Sequence, residues 1–549
     1  MYTELWFNER MDMYKLKSYF HSFVIQGTLG ILLILFCLLS ACNSTKVDSS
    51  SKDDRPNIVI IMGDDIGYSD IGCYGAEINT PNLDRLAANG MRFKQFYNMA
   101  KCNPTRSSLI TGLYEGNERA ISFVPLLRDA GYNAVMSGKE HFDKWVPQSC
   151  YFAETFEKSF TFWATTEYFV PPDGSFQRPF YLNGAEIAPK DIEAEILPKY
   201  KTDFITDYAI KWLDEMMEKE DPFLLLLPYH AAHYPLQARP EDIAKYQGKY
   251  MKGWDLLRAE RFAKMKDLGI LDKNTHLSPA ESNTNRFRGN GKKNFPEIRA
   301  KWNNYENWDG LSAQEKIDKD LEMSVYAAII DRMDQNIGRV LDRLEAEEEL
   351  ENTLVLFFTD NGSCPFDSNV DFDIPPGPTE SYRCLSPTWG NFGNTPFRLY
   401  KQNGHEGGAN THLIAHWPNK IKRNQITNEV GTIVDLFPTI LEMANISYPE
   451  IYKGTKTLSL DGTSLLPVLQ GKDFTPTEDI ISGFTDRFRS YRSGDWKIVK
   501  QNAEQWELYN MRYDRTEVND LAIERRDKLK EIVKKYEDYQ KRKKLELSM

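Results

Sequence analysis

NIVIIMGDD, residues 57–65, is a run of apolar β-formers that stops at a glycine and two aspartates. A continuous apolar run of this length suits a parallel strand buried on both faces rather than a half-exposed one. The pattern returns at residues 132–136 before Ser-Gly-Lys139-Glu140-His141, and at 223–228 before Tyr229-His230-Ala-Ala-His233. It returns again at 353–358 before Thr-Asp360-Asn361-Gly362. Helical signals lie between. Thr80-Pro81 has the form of an N-cap and first helical residue, and Gly90 that of a stop. Residues 321–345 place Val325, Ile329, Met333, Ile337, Val340 and Leu344 on one face. Strands alternating with helices predict a mostly parallel α/β sheet covered on both sides, with ligands beyond the carboxyl ends of its strands.

An aspartate pair after a strand is often only a turn, and a histidine there often only a hydrogen-bonder. Four such clusters delivered to one sheet edge mark that edge as the site. Asp64, Asp65, Asp360 and Asn361 offer oxygen alone, which suits one hard divalent cation, Ca²⁺ or Mg²⁺, rather than Zn²⁺.

KCNPTRSSLITG, residues 101–112, adds a cysteine at the threshold of a helix. Asn103 has the side chain of a cap and Pro104 suits a first helical position, so the helix is expected over 104–111. A helix N-terminus with Arg106 one turn in favours a bound anion, and Cys102 stands at its mouth.

The chain has 549 residues, 41% hydrophobic and 27% charged, with a formal net charge of −12. That is a globular composition with no basic stripe, which excludes a nucleic-acid partner on electrostatic grounds. Residues 23–41, FVIQGTLGILLILFCLLSA, follow Lys15 and Lys17 in the order of a signal peptide. Leu39-Ser40-Ala41-Cys42 resembles a bacterial lipobox, so residues 1–41 read as signal and Cys42 as the lipidated N-terminus. Residues 42–54 read as a polar tether, the rest lying in the cell envelope, periplasmic or at the surface. A single transmembrane anchor is the alternative. Beyond Cys37 and Cys42 an odd five cysteines remain. With Cys102 set aside, Cys73, Cys150, Cys364 and Cys384 have the number for two disulfides, in any of three connectivities.

CNPTRSSLITG resembles the signature of the formylglycine-dependent sulfatases, Cys-x-Pro-x-Arg followed by a Leu/Ile-Thr-Gly close. The likeness runs along most of the chain from Pro56. DDIGYSDIGCYG resembles that family's first metal loop, GKEHF its Gly-Lys-x-His, and HYP at 233–235 a further histidine motif. TDNG resembles its second metal loop, and YKQNGHEGG, ending at Gly408, its Lys and Glu-Gly-Gly segment.

The resemblance implies an alkaline-phosphatase-like fold, a catalytic domain over 55–475 and a small C-terminal antiparallel sheet with a helix over 476–549. It implies that Cys102 is converted by a formylglycine-generating or anaerobic sulfatase-maturating enzyme to 3-oxoalanine, whose hydrate supplies the nucleophilic oxygen. Asp64, Asp65, Asp360 and Asn361 would then hold one Ca²⁺ together with residue 102. Arg106, Lys139 and Lys401 would neutralise the diol and the sulfate. His233 would protonate the leaving alcohol, aided by Lys401. His141 would take the proton of the second diol hydroxyl, whose collapse expels sulfate. Departures are a short segment after Gly112, Glu140 between Lys139 and His141, and extra histidines at 230 and 405. His230 and His416 are expected to be structural.

Residues 236–320 form a long polar insertion carrying Trp254, Trp302, Tyr305 and Trp308, rings that either stack on sugars or pin the loop. The expected activity is hydrolysis of a sulfate ester, with a sulfated glycan favoured. The rivals are a phosphodiester or phosphonate monoester hydrolase of the same fold and a non-catalytic glycan-binding lipoprotein.

Overall fold

The computed structural model describes residues 53, 55–164, 167–170, 178–280, 307–365, 369, 371–484, 487–502 and 504–549. The expected signal, Cys42, most of the expected tether, Trp302 and Tyr305 lie outside the described residues. Residues Arg55–Met549 form one compact unit.

Its centre is a ten-stranded sheet built from β1 (Asn57–Gly63), β2 (Met91–Tyr97), β3 (Asn133–Lys139), β4 (Lys158–Phe162) and β5 (Phe180–Leu182). β6 (Ala185–Ile187), β7 (Phe223–Pro228), β8 (Thr353–Thr359), β9 (Asn410–His416) and β10 (Gln425–Thr432) complete it. The order is β10-β2-β9-β8-β1-β7-β3-β4-β5-β6. The central run β8-β1-β7-β3-β4 is parallel throughout. β9 enters antiparallel between β2 and β8, and β5 and β6 at one end of the sheet also pair antiparallel.

The expected burial of residues 57–62 holds on both faces. Val59 and Ile61 join one core, under the helices α3 (Lys201–Met217) and α5 (Ala313–Ala346). Ile58 and Ile60 join the other, with residues of α2 (Cys102–Thr111) and α6 (Leu436–Met443). Alternate residues of a strand point to opposite faces, so both must be apolar when helices cover both. Helix α5 contains the whole predicted stripe, every member fully buried, and starts in a Ser312–Glu315 capping box. Helix α1 (Pro81–Ala88) begins and ends where Thr80-Pro81 and Gly90 indicate.

Helix α2 departs from expectation. It starts at Cys102 with Lys101 as N-cap, so Cys102 is in the first turn and Asn103 is not the cap. The Asn103 side chain is engaged with Asp143 instead. Pro104 fits a third helical position as well as a first, because the first four N–H groups of a helix have no intrahelical acceptor.

The described part of the insertion packs against the body. Helix α4 (Trp254–Asp267) brings Trp254 against Trp308 and Trp389, edge to face at 4.9 and 5.3 Å. Trp254 is 1% exposed, so it pins the segment and cannot stack on a sugar. Cys73, Cys150 and Cys364 are buried free thiols, so the pair of disulfides among them and Cys384 is not formed. The C-terminal antiparallel sheet consists of β11 (Ile480–Phe484), β12 (Phe488–Ser493), β13 (Trp496–Gln501) and β14 (Glu507–Asn510), in that order. Helix α7 (Arg526–Ser548) lays Tyr536 against Tyr491 and Trp506.

Candidate active site

Strand register aligns four chain tips. Gly63 pairs with Thr359, Met62 with Pro228 and Met136 with Leu226, so Asp64, Asp360, Tyr229 and Lys139 follow neighbouring strand ends. Backbone bonds tie the tips directly: Asp64 N donates to Ala231 O at 2.7 Å, and Ala232 N to Asp64 O at 2.5 Å. Gly138 permits this approach. It sits at φ +143°, and a Cβ there would lie 2.1 Å from Pro228 O.

All ten residues singled out from the sequence meet at this edge. Asp64, Asp65, Asp360 and Asn361 are each 0–1% exposed. Lys139 Nζ donates to Asp64 Oδ2. Arg106 reaches Asp360 Oδ2 through Nε at 3.1 Å and Nη2 at 2.9 Å, with Nη1 on Lys139 O at 3.0 Å. Lys401 Nζ donates to Asp65 Oδ1 at 2.6 Å, and His233 Nε2 lies 3.3 Å from Asp65 Oδ2. Cys102 Sγ is 3.3 Å from His141 Nδ1, and ligand atoms of Asp64, Cys102 and Asp360 lie within 4.8 Å of one another. The thiol stands where an oxygen on the same Cβ would stand.

The electrostatics are those of a crowded polar centre. Burial by itself raises Asp64, but Lys139, His233 and Arg106 outweigh it and hold the carboxyl well below the usual range. Burial and the Asp64 carboxylate push Asp360 well up despite Arg106. Burial lowers His141, and the Lys139 charge adds to this, so its ring stands neutral beside residue 102. Burial, with Lys139 against Asp65, lowers His233 to about 3, while its Nδ1 donates to Tyr234 O at 2.9 Å.

Among the described residues, Asp64 Oδ1 and Asn361 Oδ1, both buried, have no hydrogen-bond donor. Acceptor atoms left bare beside three carboxylates fit a hard cation, which supplies the missing positive charge to all of them.

The family model described as Sulfatase matches residues 56–446, and one described as N-sulphoglucosamine sulphohydrolase, C-terminal, matches 398–545. The chain belongs to the sulfatase family. Its relatives include an uncharacterised sulfatase of Schizosaccharomyces pombe, 30% identical over 88% of this chain and 93% of that one. An N-acetylglucosamine-6-O-sulfatase of Bacteroides thetaiotaomicron is 26% identical over 94% and 91%. A solved structure, BT4656 in complex with its substrate D-glucosamine-2-N,6-O-disulfate, superposes with a TM-score of 0.59. It is 22% identical and covers 89% of this chain and 98% of that one. This sulfatase is therefore a hydrolase of sulfate esters with the alkaline-phosphatase-like fold.

Several contacts in the sulfatase carry no sequence signal. Lys201, at the start of α3, meets His230 Nδ1 at 3.2 Å, and the His230 ring stacks on His233 at 5.2 Å. That is the supporting role expected of His230. His405 Nε2 meets Glu507 Oε2 at 2.6 Å, joining the Lys401 segment to the C-terminal sheet. Trp163 stands edge-on to His141 at 5.8 Å.

Proposed function

We propose that the protein hydrolyses sulfate esters on sugars, using a formylglycine made from Cys102 and one calcium ion. The observation that carries this is the meeting of Cys102 Sγ with the Asp64 and Asp360 carboxylates and His141 Nδ1 at one buried point. The hydrated aldehyde supplies an oxygen nucleophile, and calcium supplies positive charge facing the sulfate oxygens. Asp64, Asp65, Asp360 and Asn361 hold the ion.

Arg106 and Lys139 fix the acidic cluster and face the anion with permanent charge. His141, neutral, accepts a proton from residue 102. His233 carries its Nδ1 hydrogen on Tyr234 O, so Nε2 is the atom that takes up a proton when the ester binds and then hands it to the departing alcohol oxygen. A bound sulfate ester adds negative charge beside that ring and favours its protonated form. Lys401 neutralises the same oxygen as it leaves.

The sugar class is supported by the relative named N-acetylglucosamine-6-O-sulfatase and by the structure solved with a glucosamine disulfate. We assign residues 55–475 to the catalytic body and 476–549 to a C-terminal domain. On the lipobox-like residues 39–42 we place the mature protein in a bacterial envelope, anchored through Cys42. Replacing Cys42 with Ser then releases it from the membrane fraction.

The deciding experiment has two arms. Mass measurement of the tryptic peptide holding residue 102, after co-expression with a maturating enzyme, is expected to show loss of sulfur and gain of an aldehyde. Turnover on sulfated mono- and oligosaccharides is compared with matched phosphate and phosphonate esters. A preference for phosphate of about 100-fold, near 2.7 kcal/mol, sinks the reading.

A further inference from the structure

Residue 401 sits in a tight loop with left-handed residues on both sides, Leu399 and Gln402, each at φ +61°. Neither is glycine, so the conformation costs energy and persists only where surroundings enforce it. On one side the catalytic body grips it. Lys401 N donates to Ser363 O at 3.2 Å, and Gln402 N to Ala100 O at 2.8 Å.

The other side is gripped largely by residues from beyond 496, with the backbone at Gly404 lying against Arg489 and Ser490. Lys497 on β13, 1% exposed, places Nζ 2.6 Å from Glu406 Oε1 and 2.8 Å from Glu517 Oε1. Glu517 then turns back on the loop. Its Oε2 accepts Glu406 N at 2.7 Å, and its carbonyl accepts Arg398 Nη1 at 2.8 Å. Glu507 meets His405, and Gln501 Nε2 donates to Gln402 O at 3.1 Å. Glu406 Oε2 accepts Tyr97 OH at 3.0 Å, which ties the assembly to the main sheet.

A lysine buried between two carboxylates is a poor source of net stability, because desolvating three charges is expensive. It does define position sharply, since moving either carboxylate leaves a buried charge without its partner. We propose that Lys497 is a positioning residue for sulfate-ester hydrolysis. Through Glu406 and Glu517 it fixes the backbone that presents Lys401 to Asp65 and the leaving oxygen. The C-terminal sheet is thereby part of the catalytic apparatus, and the inference rests on the role proposed above for Lys401.

The test is a double-mutant cycle on the mature, calcium-loaded full chain, with folding checked by circular dichroism. Lys497→Met, Lys401→Ala and the double variant are assayed on 4-nitrophenyl sulfate and on N-acetylglucosamine 6-sulfate. Lys497→Met is expected to lower kcat on the sugar sulfate by about tenfold or more with KM little changed. In the Lys401→Ala background the same change is expected to cost less than about twofold, the non-additivity of residues acting through one another.

The nitrophenyl ester, whose leaving group needs little help, is expected to respond least. If Lys497→Met loses its fold, Glu507→Gln, which breaks the link to His405, is carried through the same cycle. Factors that simply multiply overturn the inference while leaving Lys401 its role. A Lys401→Ala enzyme as fast as its parent overturns both.

Discussion

Lys401 Nζ and Asp65 Oδ1 are 2.6 Å apart, although 336 residues separate them in the chain. The two belong to the sheet edge from opposite directions, one from the tip of β1 and one from the loop before β9. Asn361 Nδ2 donates to the same Asp65 oxygen at 2.6 Å. An ammonium pointed into an acidic cluster at that distance is held by charge and stays protonated, as its strongly raised pKa requires once burial is overcome by Asp65. Replacing Lys401 with Ala is expected to lower kcat by about 10²–10³, the usual weight of one donor aimed at developing negative charge. Steady-state kinetics on a sugar sulfate with a poor leaving group read it directly. A drop confined to KM assigns Lys401 to ground-state binding instead.

The acidic cluster predicts how the protein responds to metal. Among the described residues Asp64 Oδ1 and Asn361 Oδ1 lack donors, and Asp360 is pushed up by burial and by Asp64. A divalent cation relieves all of this at once. Chelation is expected to lower the melting temperature. Calcium at about 100 times its dissociation constant adds about 2.7 kcal/mol of stability. Titration calorimetry on the chelated protein is expected to give one site, lost in Asp64→Asn. A melting temperature indifferent to calcium rules the assignment out.

His233 tests the direction of proton transfer. His233→Ala is expected to slow hydrolysis of sugar sulfates by about 10²–10⁴, the range of general acid catalysis. The effect shrinks as the leaving group improves, because a stable phenolate departs without a proton. Equal losses on sugar and nitrophenyl sulfates place the histidine in binding rather than in proton donation.

Packing of the insertion gives a prediction independent of chemistry. Trp254, Trp308 and Trp389 meet edge to face, and Trp254 also lies in the core under α5. Truncating such a ring leaves a cavity that the surroundings close only in part. Trp254→Ala is expected to destabilise the fold by about 3–5 kcal/mol. Chemical denaturation measures it, while kcat of the protein that remains folded stays near the parent value.

The ten site residues were legible because each ends a buried strand, opens a helix or closes a signature motif, and a parallel sheet gathers such tips at one edge. What escaped the sequence was contact made across long separations by side chains of ordinary type. Lys201 lies in an amphipathic helix where a lysine looks solvated, yet it is 0% exposed and faces His230. Lys497 lies in an alternating strand, WKIVKQ, whose register alone decides that it points inward to Glu406. The start of α2 was misplaced by two residues, because proline fits several positions of a first turn and asparagine is a good cap only when it is free to be one.

That same Lys497 carries a pH signature that separates its buried pair from a surface one. Burial alone raises Glu406, but Lys497 and Arg515 overcome it, so its folded pKa lies below the unfolded value near 4.5. A lowered carboxyl contributes stability above its unfolded pKa and loses it as pH falls through the folded one. In Lys497→Met the sign reverses. Glu406 remains buried without the Lys497 charge, so its folded pKa rises and a proton binds more tightly to the native state. The variant is expected to be about 3–5 kcal/mol less stable than the parent at pH 7.5. The deficit narrows as pH falls toward 5 and the Glu406 carboxyl takes up a proton. Denaturant melts of both proteins at pH 5, 6 and 7.5 make the comparison. A deficit that stays constant across those pH values means that the two carboxylates find other partners and that Lys497 does not govern them.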